Sequence, residues 1–519
     1  AVTGGFGLYT LGATSNTVVE SRIENTAGGA LYLHTGANYN VIDRAVLSSN
    51  GGGGSDHALL VTNASSNTVT RSFMSNPSGW TVYLNGSSNY NSVSWSTVTT
   101  GASGYTALNL GNSASYNAVT GVHVSAGASY GLRLDSGANR NTISETTAAV
   151  AGAGYYALGL AGASSNTVTQ SRFSNTLGDA GRVTFNGGWN TISHSTFSAA
   201  AAGKSGLYLE YTTSNTIANS LVYNTAGTAL WLSTGANLNT ISLSSITSNG
   251  PESKALYLTQ ASSNTIESSA LLGQNGFAVY MISNSTSNAV LRSTLTVSGL
   301  TRTAVYVQGS SSATFQNDII ASPGGRGIEL GTQAGYISLA RSTVNGDGSF
   351  FDAINMMGAT YVTIDQSYLR GGSGYGAIAQ TGSHHILFSN NVILGNSAGA
   401  EGLTLFNVAD STVTDCFIDN PLGVGLRFQQ GAKANSVYRS TITSSAGGGP
   451  GVFFDWVSSN TLSHSYVQGS TGVTVSQSTG AVVESSVVVG TGSAGSGLWM
   501  TGGSVNLAMS SSTVYGGPQ

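Results

Sequence analysis

The chain has 519 residues and a net charge of −4, and only 7% of its residues are charged, against about a quarter in ordinary globular domains. So few and scattered basic residues exclude a nucleic-acid-binding surface. Hydrophobic residues make up 40% of the chain and recur at regular places, which excludes a disordered chain, and no apolar run is long enough to span a bilayer.

Asparagine recurs along the chain at a nearly constant interval. In the first part of the chain this interval is 24 to 27 residues, and Val or Ile usually follows within two residues. The asparagines of this series are Asn16, Asn40, Asn67, Asn91, Asn117, Asn141, Asn166, Asn190, Asn215, Asn239, Asn264 and Asn288. The series returns at Asn435 and Asn460, with Asn390 and Asn506 as looser matches. A fixed period of this length predicts a solenoid, in which each repeat forms one turn.

Residues 30–51 show the plan of one predicted turn. Residues 30–33 alternate as a short strand, 40–42 begin a second strand, 45–47 form a third, and 48–51 close the turn. Interior Gly, Ser and β-branched residues argue against helix. The same plan recurs along the chain, which predicts an all-β fold made of short strands.

We therefore predict a single-stranded right-handed parallel β-helix of about 21 coils, each with ~24–25 residues and three short strands. One continuous solenoid is expected over residues 1–519. Its coils carry the asparagine regularly over 1–312, less regularly over 313–420 and regularly again over 421–519. No capping segment is evident at either end.

The asparagines have a physical role in such a fold. Asn tolerates the left-handed backbone of a tight bend, and its amide both donates and accepts hydrogen bonds. We predict that equivalent amides are buried and bonded from turn to turn. This structural ladder comprises Asn117, Asn141, Asn166, Asn190, Asn215, Asn239, Asn264 and Asn288.

The motif at residues 236–241, Ala-Asn-Leu-Asn-Thr-Ile, is followed by Ser-Ser-Ile at 244–246. This pattern resembles the right-handed parallel β-helix repeats of the pectin-lyase-like superfamily, and the resemblance covers nearly the whole chain. It implies the fold and, for function, either a carbohydrate-active enzyme or a surface protein. Lyases of that superfamily place acids and Arg or Lys on neighbouring turns, often with calcium.

An aromatic column is predicted on the outward side of the first strands. It comprises Tyr208, Trp231, Tyr257, Tyr280 and Tyr306, on five successive turns. The rings could stack on the sugars of an extended glycan, or they could pack against another protein chain. The simplest interpretation is stacking between turns, which stiffens the solenoid.

Acids become denser between residues 313 and 420. Asp318, Arg341, Asp365 and Asp415 fall near one outward position of the second strand, and His384-His385 lies on a turn between the last two. Such a group could form an acid–Arg–His site, with Asp365, His384, His385, Asp415 and Arg341 as catalytic candidates. An outward ladder of opposite charges is the simpler interpretation, so no catalytic residue is predicted.

Two further side-chain groups have plain structural explanations. Asp347, Asp352 and Glu329 could hold calcium together with loop carbonyls, but the glycine-rich nonapeptide calcium motif is absent, so a plain turn is the preferred interpretation and no cofactor or metal is predicted. Cys416, the only cysteine, excludes an internal disulfide, and its place in a strand predicts a buried structural thiol.

These observations favour an extracellular or cell-surface structural solenoid rather than an enzyme. We predict that it assembles end to end or side to side into filaments, a sheath or a surface layer, as part of a larger repetitive protein or alone. A protein that binds or cleaves a polysaccharide is the first alternative, and an adhesin or passenger region is the second. The predicted partners are other copies of the chain, with a glycan as the alternative.

Overall fold

The computed structural model describes residues 5–52, 56–101, 103–349, 351–446, 448–493 and 495–517. Within these residues all regular structure is β, with three strands in each of 21 turns. The predicted all-β, right-handed parallel solenoid of about 21 coils is therefore confirmed. No helix in the described part of the chain could cross a membrane.

Each turn begins with a first strand. The first strands are Phe6–Leu11, Gly29–His34, Leu59–Thr62, Val82–Asn85, Thr106–Leu110, Tyr130–Asp135, Tyr156–Ala161, Asp179–Thr184, Ser205–Leu209, Thr228–Leu232, Lys254–Thr259, Phe277–Ile282, Val305–Gln308, Ile328–Leu330, Ile354–Met357, Ala377–Gln380, Leu403–Phe406, Leu426–Gln429, Val452–Asp455, Val473–Ser476 and Leu498–Thr501.

The second strands follow a bend and are shorter. They are Thr17–Val19, Val41–Asp43, Thr68–Thr70, Ser92–Ser94, Ala118–Thr120, Thr142–Ser144, Thr167–Thr169, Thr191–Ser193, Thr216–Ala218, Thr240–Ser242, Thr265–Glu267, Ala289–Leu291, Thr314–Gln316, Ser338–Ala340, Thr363–Asp365, Leu387–Ser389, Thr412–Thr414, Ser436–Tyr438, Thr461–Ser463, Val482–Glu484 and Ala508–Ser510.

The third strands complete each turn. They are Arg22–Asn25, Val46–Ser49, Phe73–Asn76, Thr97–Thr100, His123–Ala126, Thr147–Val150, Arg172–Asn175, Thr196–Ala199, Leu221–Asn224, Ser245–Ser248, Ala270–Gly273, Thr294–Val297, Ile319–Ser322, Thr343–Gly346, Tyr368–Gly371, Val392–Leu394, Phe417–Asp419, Thr441–Thr443, Tyr466–Gly469, Val487–Gly490 and Thr513–Tyr515.

The chain divides into two compact units, Ala1–Tyr257 (unit 1) and Leu258–Gln519 (unit 2). Within each unit, a strand pairs in parallel with the strand at the same position in the next turn, as Leu207 does with Leu230 in unit 1. Whether the solenoid is continuous over 1–519 stays a prediction. The predicted lack of capping segments also stays a prediction, because residues 1–4 and 518–519 lie outside the described residues.

Alternating side chains fill a narrow core in each unit. In one turn of unit 1, Leu207 and Leu209 of the first strand, Ile217 of the second and Val222 of the third all point inward and are fully buried. Burial of each such side chain contributes about 1.5–3 kcal/mol relative to exposure. The core therefore grows turn by turn, and each unit needs no large globular interior.

The asparagines form a hydrogen-bonded ladder inside each unit. In unit 1, every side-chain amide from Asn16 to Asn215 donates to the Oδ1 atom of the asparagine one turn on, the last of these acceptors being Asn239. In unit 2 the same bonds join Asn264 to Asn288 and Asn435 to Asn460. The ladder ties consecutive turns together beneath the bend.

The conformational reason predicted for these asparagines is wrong. The left-handed residue is the one before each ladder position, as Leu238 (φ 57°) precedes Asn239. The looser matches Asn390 (φ 55°) and Asn506 (φ 57°) are themselves bend residues and lie outside the ladder. The ladder asparagines are needed for their paired amides and not for tolerance of a positive φ.

The three-strand plan continues where the asparagines lapse. Buried Ala313, Ile337, Val362 and Ile386 occupy the ladder position in successive turns of unit 2. Parallel pairing is maintained through these turns. Apolar packing therefore replaces the amide bonds locally, and the lapse between 313 and 420 is a change of core chemistry.

A second buried ladder, made of serines, lies five residues after the asparagines. Ser195 illustrates it: its hydroxyl donates to the carbonyl of Ser193 and accepts the backbone N–H of Ser171 in the preceding turn. In unit 2 this position is taken by Asp318 and Cys416, among serines such as Ser342. The prediction that Asp318 points outward is wrong. It is 1% exposed, because the outward bend residue is Asn317, one place earlier.

Candidate functional site

The outer faces of the strands differ in chemistry. Outward positions of the second strands are mostly Thr and Ser, as in the Thr-Val-Thr, Thr-Ile-Ser and Ser-Val-Ser strands. The first strands instead carry Tyr, Trp and charged residues. In unit 1 these form a patch, the unit 1 patch, made of Tyr130, Arg133, Asp135, Tyr156, Asp179, Arg182, Tyr208, Trp231, Lys254 and Tyr257.

The predicted aromatic column is a stack in which neighbouring rings cover one another. In unit 1, the ring centroids of Tyr208 and Trp231 are 5.1 Å apart at 74°, and those of Trp231 and Tyr257 are 5.1 Å apart at 23°. The Arg182 guanidinium lies 4.6 Å from the Tyr208 centroid. Because the ring faces contact neighbours, a ligand would meet ring edges, which carry the tyrosine hydroxyl groups.

The same stacking occurs in unit 2. Tyr280 and Tyr306 have centroids 4.9 Å apart and an interplanar angle of 11°. The Tyr306 hydroxyl donates to Gln308 Oε1 at 2.7 Å. Here too the ring faces are used within the solenoid, and the polar edges point away from it.

Ion pairs of the unit 1 patch are partly withdrawn from solvent. Arg133 Nε donates to Asp135 Oδ1 at 2.6 Å, and Arg182 Nε lies 3.3 Å from Asp179 Oδ2. Asp179 also accepts the Ser205 backbone N–H at 2.7 Å. Burial raises the pKa of both aspartates, and desolvated charges of this kind are held by their partners rather than by water.

In unit 2, two arginines each join two carboxylates. Arg326 contacts Glu329 and Asp352, and Arg427 contacts Glu401 at 3.1 Å and Asp455 at 2.6 Å. Asp352 has a side chain only 4% exposed, and burial raises its pKa. These residues, with Asn355, Tyr375 and Thr404, form the unit 2 patch, in which burial raises the pKa of Tyr375 to about 12.

Several buried polar atoms of the first strands lack a hydrogen-bond partner among the described residues. Two of them, Thr62 Oγ1 and Ser205 Oγ, lie at strand ends, and the others belong to the central outward position of a strand: Asn109 Oδ1, Arg182 Nε, Trp231 Nε1, Arg427 Nε and Thr474 Oγ1. The 3.3 Å approach of Arg182 Nε to Asp179 is an ion-pair distance without hydrogen-bond geometry. Buried polar groups are normally satisfied, so these exceptions set the first-strand face of each unit apart from its other faces.

The catalytic candidates from the sequence do not converge. Asp365 accepts hydrogen bonds from Ser389 and Asn390, and Asp415 forms a two-point ion pair with Arg439 on the next turn. Arg439 has a side chain 54% exposed and holds the pKa of Asp415 down to about 2.

The other candidates lie at separate bends. Arg341 is a bend residue after its second strand and donates to Asn317 at 3.3 Å. His384 and His385 contact each other and lie before the strand Leu387–Ser389, whereas Asp365 ends the equivalent strand one turn earlier. The histidine pair and the acids are thus at opposite ends of the second strands.

The calcium candidates are also divided. Glu329 and Asp352 share the cationic partner Arg326, and Asp347 lies in the loop that follows Thr343–Gly346. Among the described residues, no three His, Cys, Asp or Glu side chains are grouped so as to hold a metal ion.

Cys416 is buried in the serine ladder, and burial raises the pKa of its thiol to about 11. The thiol donates to the Thr414 carbonyl at 3.3 Å. We expect a thiol reagent at pH 8 to modify Cys416 only after the protein is denatured, because the reactive thiolate is scarce and inaccessible. Rapid modification of the native protein, followed by mass spectrometry, would contradict this placement.

Comparison with known proteins bears on the fold. No match was found among curated proteins. A chain in the Vag8–C1 inhibitor complex is 14% identical over 98% of this chain and 100% of that chain, with a TM-score of 0.39. The Azotobacter vinelandii mannuronan C-5 epimerase AlgE4 A-module is 15% identical over 63% and 91%, with a TM-score of 0.34.

The Dettilon tailspike protein gp208 is 10% identical, with a TM-score of 0.44, and the match spans 52% of this chain and 59% of the tailspike chain. At such low identities these matches say nothing about ligand or activity. The sequence model of the right-handed β-helix region matches residues 181–344 and 303–454. Together these segments cover more than half of the chain, which therefore belongs to the right-handed β-helix family.

Proposed function

We propose that this protein binds an extended polysaccharide along the outer face of its first strands. The observation that carries the proposal is the concentration of Tyr, Trp, Arg and acidic side chains on this face, while the second strands present Thr and Ser. A surface that only had to be soluble would not need this difference. Residues of this kind, placed on rigid strands, are typical of specific recognition.

The geometry favours recognition by hydrogen bonds. Ring faces in the patches are covered by neighbouring rings, whereas the guanidinium donors of Arg182 belong to a side chain that is 37% exposed. Sugar hydroxyl and carboxylate oxygens are acceptors for such donors. Turns repeat every ~4.8 Å, about the length of one sugar unit, so a polymer lying across the turns could repeat its contacts.

The charges of the unit 1 patch are matched in sign. Arg133 and Arg182 pair with Asp135 and Asp179, and Glu252 acts electrostatically on Lys254. The patch therefore has no positive excess that would select an acidic glycan over a neutral one.

We propose binding rather than cleavage for this face. Asp135, Asp179, Asp352 and Glu401 each have an arginine within ion-pair distance. A carboxylate in contact with an arginine is already engaged in an ion pair, which leaves it less available to accept a proton from a substrate. Incubation with acidic glycans, with and without calcium, is expected to yield no unsaturated products; their appearance would favour a lyase.

Replacing Trp231 by alanine is expected to weaken glycan binding by about tenfold or more, since the loss opens the aromatic stack that positions Tyr208 and Tyr257. An array of acidic and neutral glycans would identify the ligand, and calorimetry would compare the variants. Tyr90→Ala is the matched control, because Tyr90 stacks on Tyr116 at an exposed bend away from the first strands. Equal losses for both variants, or no binding by the parent protein, would contradict the proposal.

An extracellular structural or adhesive role is the second candidate. Its specific support is a set of exposed aromatic bend residues in unit 1, including Tyr39, Tyr90 and Trp189, which have φ near 60°. A left-handed backbone is unfavourable for bulky side chains, so their retention suggests contacts with another surface. Electron microscopy of the purified protein tests for filaments, sheaths or layers; only dispersed particles would count against assembly.

A further inference from the structure

An apolar stripe runs along the outer face of the third strands in unit 2. It consists of the first residue of eight successive third strands: Ile319, Thr343, Tyr368, Val392, Phe417, Thr441, Tyr466 and Val487. These residues pair directly from turn to turn. Ile319, Tyr368, Phe417, Tyr466 and Val487 are 37–52% exposed, so the stripe is a mostly apolar surface, interrupted by Thr343 and Thr441.

The fold does not require this stripe. In unit 1 the same strand position holds charged or polar residues in several turns, among them Arg22, His123 and Arg172, all exposed. Contiguous apolar surface on a soluble protein usually marks an interaction site. The unit 2 stripe therefore calls for a partner with a flat, apolar and equally regular surface.

The charged residues beside the stripe indicate what kind of partner would fit it. Two residues after the stripe position, three successive turns carry Arg370, Leu394 and Asp419. Arg370 is exposed and forms no ion pair with any described residue. Asp419 accepts hydrogen bonds only from Thr443 and Ser445 among the described residues. An unpaired cation and an unpaired anion thus lie at equal distances on either side of the turn that contains Leu394.

We propose that the unit 2 stripe is the interface of a two-fold dimer of this chain. The rotation axis would lie in the interface, parallel to the strand Val392–Leu394, so that the two solenoids are antiparallel. A turn that lies a given number of turns before Val392–Leu394 then faces, in the second copy, the turn that lies the same number of turns after it. Arg370 faces Asp419 of the second copy, and Tyr368 faces Phe417 of the second copy.

The other symmetric arrangement fits less well. If the two solenoids were parallel, each strand would face the same strand of the second copy running in the opposite direction. Tyr368 would then lie against Arg370 of the second copy. Both charges would then be buried against rings and left unpaired, at a cost in desolvation. Self-complementarity about Leu394 is the property expected of an isologous interface.

The size of the stripe sets the strength of the dimer. Eight turns span about 34 Å at ~4.8 Å per turn, and one strand face is about 10 Å wide, which gives roughly 350 Å² per copy. Stable complexes bury about 800 Å² per partner. We therefore expect a dimer that forms at high protein concentration and dissociates on dilution.

Sedimentation velocity at about 1 µM and about 100 µM tests the proposal. The parent protein is expected to shift from monomer towards dimer, Arg370→Asp and Asp419→Arg should each remain monomeric, and the double variant should dimerise again. Arg172→Asp, at an exposed third-strand position of unit 1, is the control and should behave as the parent. A parent that stays monomeric, or single variants that dimerise normally, would overturn the proposal.

Disulfide cross-linking tests the proposed position of the two-fold axis. Leu394 lies on the proposed axis and faces its own counterpart, so Leu394→Cys is expected to form a disulfide-linked dimer under mild oxidation. Ser174→Cys, the equivalent position in a turn of unit 1, should remain a monomer. Equal cross-linking of both variants, or none of Leu394→Cys, would overturn the antiparallel arrangement. Cys416 is buried and does not interfere.

Discussion

Replacement of Asn190 by alanine is expected to lower the free energy of unfolding by about 4 kcal/mol. Asn190 is fully buried, and its amide takes part in four hydrogen bonds. Its Oδ1 accepts the backbone and side-chain N–H groups of Asn166, and its Nδ2 donates to the Ala163 carbonyl and to Asn215. Alanine would leave these groups buried without partners, and each such group costs about 1–3 kcal/mol.

The matched control is Asn16→Ala, at the same ladder position but exposed. Asn16 donates to Asn40 through its backbone and side-chain N–H groups, and solvent can replace the side-chain bond. We expect its effect to be below about 1 kcal/mol. Urea unfolding followed by circular dichroism measures both variants. Because repeat proteins need not unfold in one step, hydrogen exchange should show where protection is lost. Similar midpoints for both variants would argue against the burial of the ladder as the source of stability.

Replacement of Asp318 by serine is expected to stabilise the protein at pH 8 by up to about 4 kcal/mol and to leave it unchanged near pH 4. Burial raises the pKa of Asp318 to about 7 from an ordinary value of 3.8, and one pKa unit corresponds to about 1.4 kcal/mol. Its Oδ1 accepts the Ser293 N–H, whereas its Oδ2 is buried without a partner among the described residues.

The sign follows from proton counts in the two states. Below about pH 4 the carboxyl is protonated in both states and contributes no pH dependence. Between about pH 4 and pH 7 the unfolded chain has released the proton that the folded protein keeps, so the free energy of unfolding falls as the pH rises. Above about pH 7 the free energy of unfolding falls no further on account of this group. Serine, which occupies this position in adjoining turns, does not ionise and therefore removes this pH dependence.

Cys416→Ser is the control for this pH profile. Cys416 occupies the same position of the serine ladder as Asp318, two residues before a buried residue of the third strand. Its thiol, with a pKa of about 11, does not titrate between pH 4 and 8. Thermal unfolding at several pH values should therefore give a parallel curve for Cys416→Ser and a flatter curve for Asp318→Ser. An Asp318→Ser curve that follows the parent at every pH would show that this carboxyl is not held protonated.

The regular part of the fold could be predicted because each turn buries one asparagine amide, and a ladder residue such as Asn190 has few acceptable substitutes. The serine ladder escaped notice because serine is common throughout the chain, so Ser195 does not stand out. For the same reason, the sequence did not show whether the Asp318 side chain points into the core or outward. A single left-handed residue, Asn317, turns the chain outward just before it and reverses the expected side.

The candidate site was harder to find because its members are far apart in sequence. Asp179 and Arg182 are near neighbours in sequence, but Arg427 meets Glu401 and Asp455, which are 26 and 28 residues away, only because the solenoid places them on adjacent turns. Outward charges such as Asp365 and Asp415 looked similar in sequence. What separates the two groups is burial, which depends on the long side chains of neighbouring turns.

The asparagine ladder of unit 1 also has a direction. From Asn16 to Asn215, one N–H of every side-chain amide donates to the asparagine of the following turn, and every side-chain carbonyl oxygen from Asn40 to Asn239 accepts from the preceding turn. The amide dipoles therefore add along the stack, and each bond polarises the next. Unit 1 is electrically polar along the ladder, with the positive end towards the later turns. Removing one central amide would divide a long aligned chain of dipoles into two shorter ones, so that paired substitutions in the ladder should cost less than the sum of the single ones.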